Sequence, residues 1–193
     1  MKIDIILAGV GGQGILSIAA AIGQAALINH LNIKQSEVHG MSQRGGEVMS
    51  HLRISSNPIA SDLIPVGAAD MIISVEPMEA LRYLNFLSNT GWLITNTKPF
   101  ENINNYPDYT QLMKTIEALP SRVFLDADEM ANEAGSAKAS NMVILGSSVP
   151  FLKLSVDSVE QGIRTVFASK GERIIDLNLK AMKMGMDYAV SVR

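Results

Sequence analysis

Two glycine-rich segments carry residue types and spacings that suit the binding of an anion. The first, Gly9-Val10-Gly11-Gly12-Gln13-Gly14, fits G-x-G-x-x-G. It follows a run that reads as a strand and precedes one that reads as a helix, the context in which this motif cradles phosphate. In that reading Gly9 permits the tight turn, Gly11 or Gly12 lets a ligand approach the backbone, and Gly14 lets helix and strand pack closely. The helix N-terminus adds N–H groups without intrahelical partners and the positive end of its dipole. The same glycines also serve where a helix merely packs close to a sheet, so spacing alone leaves both uses open. Ile15 and Leu16 stand where a Walker A loop needs Lys and Ser or Thr, which excludes that loop.

The second segment runs Glu37-Val38-His39-Gly40-Met41-Ser42-Gln43-Arg44-Gly45-Gly46. Gly40, Gly45 and Gly46 allow left-handed backbone and close approach, and Arg44 is a permanently charged fork suited to phosphate or carboxylate. Lying beside the first bend, this loop would complete an anion-binding cleft at the carboxyl ends of the strands. Lying apart from it, the loop is a solvated surface with an ordinary arginine. Glu37 sits near the distance at which a nicotinamide-binding fold places its ribose-binding acid, but it leads into this polar segment and not into a simple strand-to-helix loop.

Other chemistries find less support. His30, His39 and His51 lack metal-ligand spacing and have no carboxylate cluster beside them, so they read as satisfied or surface histidines. No G-x-S-x-G elbow is present, and without cysteine there is no thiol nucleophile. Asp126, Asp128, Glu129 and Glu133 suit a helix start, where acidic side chains complement the dipole. No catalytic or metal-ligating residue is therefore assigned.

The elements that must position the two segments follow from hydropathy. Strands are expected at 3–8, 32–38, 71–75, 92–95 and 122–125, and residues 47–55 alternate as a half-buried strand with Val48, Leu52 and Ile54 on one face and Glu47, His51, Arg53 and Ser55 on the other. A helix opening at Gly11 or Gly12 runs to about residue 27 and is apolar almost all round, which implies burial on more than one side. Further helices are expected at 77–87, where Pro77 suits the first turn, at 107–119, and through most of the chain after 127. This order predicts an α/β, Rossmann-like, mostly parallel sheet flanked by helices, with a helical C-terminal region. A single domain over residues 1–193 is expected. In the last helix, 172–189, Asp176, Lys180, Lys183 and Asp187 form a polar face. The wide apolar arc around it points either to burial within the domain or to docking on a partner, through this helix or the segment 142–152.

Composition narrows the class. The 193 residues are 47% hydrophobic and 18% charged with net charge −3, which fits a globular protein and lacks the basic footprint of a nucleic-acid binder. The absence of cysteine excludes disulfides, cysteine zinc sites and thiolate-held iron–sulfur clusters within the chain. No apolar run has the length of a membrane span and no signal peptide is read, so the cytoplasm is the expected location.

The strand with GVGGQG, then SEVHGMSQRGGEVMSHLR, together with Glu76-Pro77-Met78-Glu79-Ala80-Leu81-Arg82 and Lys138-Ala139-Ser140-Asn141-Met142-Val143-Ile144-Leu145-Gly146, resembles the beta subunits of indolepyruvate ferredoxin oxidoreductases. Those are similar to the gamma subunits or domains of 2-oxoacid:ferredoxin oxidoreductases. The resemblance implies a subunit of a complex that converts a 2-oxoacid, here an arylpyruvate, and coenzyme A to an acyl-coenzyme A and carbon dioxide. Thiamine diphosphate with magnesium carries the carbanion chemistry and iron–sulfur clusters pass two electrons to ferredoxin. It places those cofactors on a large alpha subunit, consistent with the lack of cysteine and of any Gly-Asp dipeptide here, and implies that this chain is inactive alone. It assigns coenzyme A or partner contacts to Gly9, Gly11, Gly12, Gln13 and Gly14 and to Ser42, Gln43, Arg44, Gly45 and Gly46. The competing readings are a stand-alone NAD- or flavin-binding reductase using the same glycine turn, and a non-catalytic assembly module.

Overall fold

A computed structural model describes residues 1–40, 45–101 and 103–193, with His39 described by its backbone alone. Six strands form one sheet in the order β2-β3-β1-β4-β5-β6: β1 (Lys2–Val10), β2 (Asn32–His39), β3 (Glu47–Ser55), β4 (Ala69–Ser74), β5 (Leu87–Asn96) and β6 (Arg122–Leu125). β1, β4, β5 and β6 pair in parallel, whereas β3 pairs antiparallel with both β1 and β2. The sheet is thus mostly parallel, as expected, but mixed. The segment 47–55 folds back between β1 and β2 and separates them.

Helices cover both faces. On one, Ile3, Ile5 and Leu7 of β1 pack with α1 (Ile15–Ile28), α5 (Ser140–Ser148), α6 (Val156–Phe167) and α7 (Glu172–Ser191). On the other, Ile6, Ile72 and Leu93 pack with Ala80 of α2 (Pro77–Arg82) and with Leu112 and Ile116 of α3 (Tyr109–Glu117). The expected helix 77–87 stops at Arg82, a 3-10 turn follows over Leu84–Phe86, and β5 begins at Leu87. α4 (Ala127–Ala134) starts as its acidic cluster predicts: Asp126 caps it by accepting from the Glu129 N–H, with Asp128 and Glu129 in the first turn.

β3 is not half-buried. The segment 56–66 covers its second face, and Ile64 of that segment is itself in the core. The Ile64 N–H donates to Nδ1 of His51, 3.1 Å away, and His51 is 4% exposed. Arg53 binds both oxygens of buried Asp4 at 2.8 and 3.0 Å and also donates to the carbonyls of Ser61 and Leu63. Alternation predicted the second face for water, but beyond Glu47, which stays exposed, hydrogen bonds to a covering loop keep His51 and Arg53 largely out of it.

The apolar arc of α7 is used within the chain. A Cβ on Gly146 would lie 1.8 Å from the Met182 carbonyl oxygen, and one on Gly185 2.0 Å from that of Val143, so α5 and α7 touch backbone to backbone. Met142, Val143, Ile144 and Leu145 are fully buried. The arc is thus covered within the chain at Ile175, Ala181, Met182 and Ala189, while Asp176, Lys180, Lys183 and Asp187 lie exposed as the expected polar face, with Glu172, Arg173, Val190 and Ser191 exposed towards the helix ends.

Two measurements check this packing. Gly185→Ala sets a methyl against fixed backbone and should cost about 3 kcal/mol in urea unfolding, at the upper end of ordinary overpacking. Burial holds the His51 imidazole below its ordinary 6.5, with Asp62 opposing and Arg53 adding. The stability its neutral form confers is therefore present above pH 6.5 and lost as pH falls below it. The urea midpoint should drop on acidification through that range, and drop less in His51→Asn, which keeps an acceptor for Ile64 but cannot charge.

Candidate functional site

β1 and β4 are parallel neighbours, yet the helices that follow them lie on opposite faces of the sheet, α1 with one core cluster and α2 with the other. Such a divergence opens a crevice outside the carboxyl ends of the two strands. The first glycine segment forms one wall. The Val10 N–H donates to Gln13 Oε1 at 2.8 Å and the Val10 carbonyl accepts from the Gln13 N–H at 3.1 Å. The Gln13 carboxamide oxygen thus closes the turn on itself. Gly14 is left-handed, with φ 81 and ψ 25, so the helix begins at Ile15 and not at Gly11 or Gly12. Among the described residues no side chain caps α1, and no acid lies in its first turn. Beside it is a cleft of about 280 Å³ lined by Val10, Gly11, Gly12, Gly14, Leu16 and Val48 among others.

The glycines divide their labour differently from the sequence reading. Gly9 is the close-packing position, since a Cβ there would lie 2.4 Å from Val75 Cγ2 and 2.7 Å from Ile15 Cδ1. Gly14 is the position that needs left-handed backbone, and it also abuts Asn141, whose Nδ2 donates to its carbonyl at 3.1 Å. Gly12, at φ 100, faces open space.

The second segment meets the first. The Gly11 N–H donates to the Gly46 carbonyl at 2.8 Å, and the Gly45 N–H to the Gly11 carbonyl. This follows from register: Val10 pairs with Glu47 and Gly9 with Val48. Ser42, Gln43 and Arg44 lie outside the described residues. Glu37 lies on β2, and β3 stands between that strand and β1. A dinucleotide fold would place its ribose-binding acid on the strand beside β1, so this arrangement argues against the nicotinamide reading.

A charged cluster that the chemistry of the sequence did not single out lies at the same edge. Glu76, fully buried, caps α2 by accepting from the Glu79 N–H at 2.8 Å. It also accepts from the Phe100 N–H and from the Tyr106 hydroxyl. Glu79, 2% exposed, takes Nε and Nη2 of Arg82 at 2.9 and 3.1 Å. Nη1 of Arg82 reaches Glu47, the residue after Gly46, at 3.4 Å. Burial pushes the Glu79 carboxyl up, the Arg82 contact works against that, and Glu76 and Glu47 add to it. Burial, with the two nearby glutamates Glu47 and Glu79, pushes the Tyr83 phenol to about 12. Burial and the bond to Glu76 push Tyr106 up as well. The signal was present as Glu-x-x-Glu-x-x-Arg behind Pro77, a spacing that puts all three side chains on one face.

Gly14→Ala should cost at least about 2 kcal/mol, because an L side chain is strained at this φ and the new Cβ would sit 2.4 Å from Asn141 Nδ2. Asn141→Ala in the same chain should relieve the collision but not the backbone strain. A double-mutant cycle in urea measures the difference.

Comparison with known proteins places this geometry. A family described as pyruvate ferredoxin/flavodoxin oxidoreductase matches residues 4–188. Indolepyruvate oxidoreductase subunit IorB of Archaeoglobus fulgidus is 40% identical over 205 residues, covering 100% of this chain and 98% of that protein. Among solved structures, the keto/oxoacid ferredoxin oxidoreductase gamma subunit of Geobacter sulfurreducens superposes with a TM-score of 0.71 at 22% identity, covering 98% of this chain and 99% of that one. The 2-oxoglutarate:ferredoxin oxidoreductase of Magnetococcus marinus, solved with 2-oxoglutarate, coenzyme A and succinyl-CoA bound, superposes with a TM-score of 0.77 at 20% identity. It covers all of this chain, which corresponds to 32% of that longer polypeptide. The chain belongs to the pyruvate ferredoxin/flavodoxin oxidoreductase family, among the oxidoreductase subunits it matches from end to end.

Proposed function

We propose that this chain is the small subunit of an arylpyruvate-type 2-oxoacid:ferredoxin oxidoreductase, and that its two glycine bends hold the phosphates of coenzyme A at the interface with a larger subunit. The observation that carries the reading is the end-to-end identity of 40% with an indolepyruvate oxidoreductase subunit. The overall reaction joins a 2-oxoacid, coenzyme A and two oxidised ferredoxins. It yields acyl-coenzyme A, carbon dioxide, two reduced ferredoxins and a proton. Thiamine diphosphate supplies an electron sink for the decarboxylation, and iron–sulfur clusters supply the path for the two electrons. The residues here do not fit either group: 193 residues without a cysteine offer no cluster thiolate, and no Gly-Asp dipeptide begins a thiamine metal motif. Both are therefore assigned to the larger subunit, and the lone chain is inactive.

What the chain offers is a place for an anion. Among the described residues the N-terminus of α1 is without a side-chain cap, and helix N–H groups and dipole favour phosphate there. Gly9, Gly11, Gly12, Gln13 and Gly14 build the turn. Gly45 and Gly46 join it, and Ser42, Gln43 and Arg44, between Gly40 and Gly45 in sequence, are taken as ligand or partner contacts with them. Among the described residues no helix is long and apolar enough to cross a membrane, and the complex is assigned to the cytoplasm.

The test is co-expression with the larger subunit. The assembled complex should reduce ferredoxin with indolepyruvate only when coenzyme A is present, and the lone chain should not. Turnover by the lone chain with NADH would favour the reductase reading. A complex that binds no coenzyme A through this chain would favour the assembly module. Preference for 2-oxoglutarate would overturn the substrate class.

A further inference from the structure

The guanidinium of Arg82 is mounted in an unusual way. Two of its nitrogens, Nε and Nη2, are held by the two oxygens of Glu79, a side chain 2% exposed. A bidentate carboxylate fork fixes the plane of a guanidinium as well as its position. Arg82 itself is 41% exposed, and its third nitrogen meets Glu47, 49% exposed, at 3.4 Å. One contact is thus short, paired and dry, and the other is single, long and wet. Exposed single ion pairs hold weakly.

The place of the weak contact matters. Glu47 follows Gly46, whose carbonyl takes the Gly11 N–H, and Glu47 pairs in register with Val10. The free edge of Arg82 therefore lies against Glu47, the residue that follows the Gly46 carbonyl joining the two glycine bends. The arginine comes from the helix that follows β4, the other strand of the crevice. Tyr83, the next residue, keeps its proton at neutral pH and adds no competing charge.

We infer that Arg82, braced by Glu79, is the fixed positive charge of this crevice, and that Glu47 is a placeholder counter-ion that a phosphate of the ligand displaces. The inference rests on the coenzyme A reading above and names a further binding residue for it. A carboxylate that occupies the arginine competes with the ligand, so the two partners of one ion pair have opposite effects on binding. A purely structural ion pair would not behave in this way, because removing either partner would weaken it alike.

The experiment uses the assembled complex with its larger subunit and measures KM for coenzyme A, KM for indolepyruvate, and inhibition by inorganic pyrophosphate. Arg82→Ala should raise the KM for coenzyme A about tenfold and weaken pyrophosphate inhibition in parallel, the scale of one charge-assisted contact. Arg82→Lys, which keeps the charge but not the fork, should recover part of the loss. Glu47→Gln should move both constants the other way, by about threefold. Unchanged coenzyme A constants in Arg82→Ala and Arg82→Lys would overturn the inference. So would weaker binding in Glu47→Gln, or a shift confined to the KM for indolepyruvate. A wild-type complex that reduces ferredoxin without coenzyme A would instead overturn the functional reading on which this rests.

Discussion

The antiparallel pairing of β3 with β1 is the constraint on which this edge of the molecule depends. In an ordinary nucleotide-binding sheet the strand beside β1 is parallel to it, and its carboxyl end presents an acidic residue. Here the neighbour runs the other way, so its amino end lies beside the carboxyl end of β1. That reversal brings the Gly46 carbonyl to the Gly11 N–H. It also moves β2, with Glu37, one strand further out. A single change of strand direction thus replaces an acid that selects a ribose with a second glycine bend beside the first.

The glycines show why a motif pattern identifies a place before it identifies roles. Gly9 and Gly14 keep the spacing of a phosphate turn, yet close packing constrains both, and Gly14 carries the left-handed backbone as well. Gly9 is forced by Val75 and Ile15, which leave no room for a Cβ, whereas Gly14 is forced by a backbone that turns left-handed before the helix. The sequence records only that a side chain is absent at each position. Which penalty is avoided depends on Val75 and Asn141, distant in sequence, and on where the helix begins.

The same limit explains what was legible in the fold. Apolar runs marked β1, β4, β5 and β6, alternation marked β3, and the acidic cluster at 126–133 marked the start of α4, because these are local consequences of burial and of helix ends. The alternation of β3 was misleading because a loop, with Ile64 bonded to His51 and two carbonyls bonded to Arg53, dries most of its second face. The arc of α7 invited a partner because the width of an apolar stripe does not say how deeply one helix sinks into another. Gly146 and Gly185 were the signal, since two glycines that admit backbone contact let α5 and α7 bury more of each other than ridges in grooves would. In the candidate site the glycine bends were legible as motifs. Glu76, Glu79 and Arg82 were legible only as a helical spacing, whose meaning came from the neighbour β3 brings to them.

Electrostatics separate the helices that follow strands at this edge. Glu76 caps α2, Asp108 caps α3 and Asp126 caps α4, each through its own side chain. Each of these ends therefore has its first N–H groups answered from within the chain and its dipole met by a carboxylate. α1 follows β1 at the same edge and has neither cap nor acid in its first turn. Its Gly14 N-cap supplies no side-chain oxygen, and Ile15 and Leu16 supply no charge. Among the described residues no side chain caps this end. The acids nearest this edge are instead tied up elsewhere, Glu76 and Glu79 on α2 and Glu47 on Arg82. The acids at this edge are thus spent on α2 and on Arg82, and none of them lies in the first turn of α1.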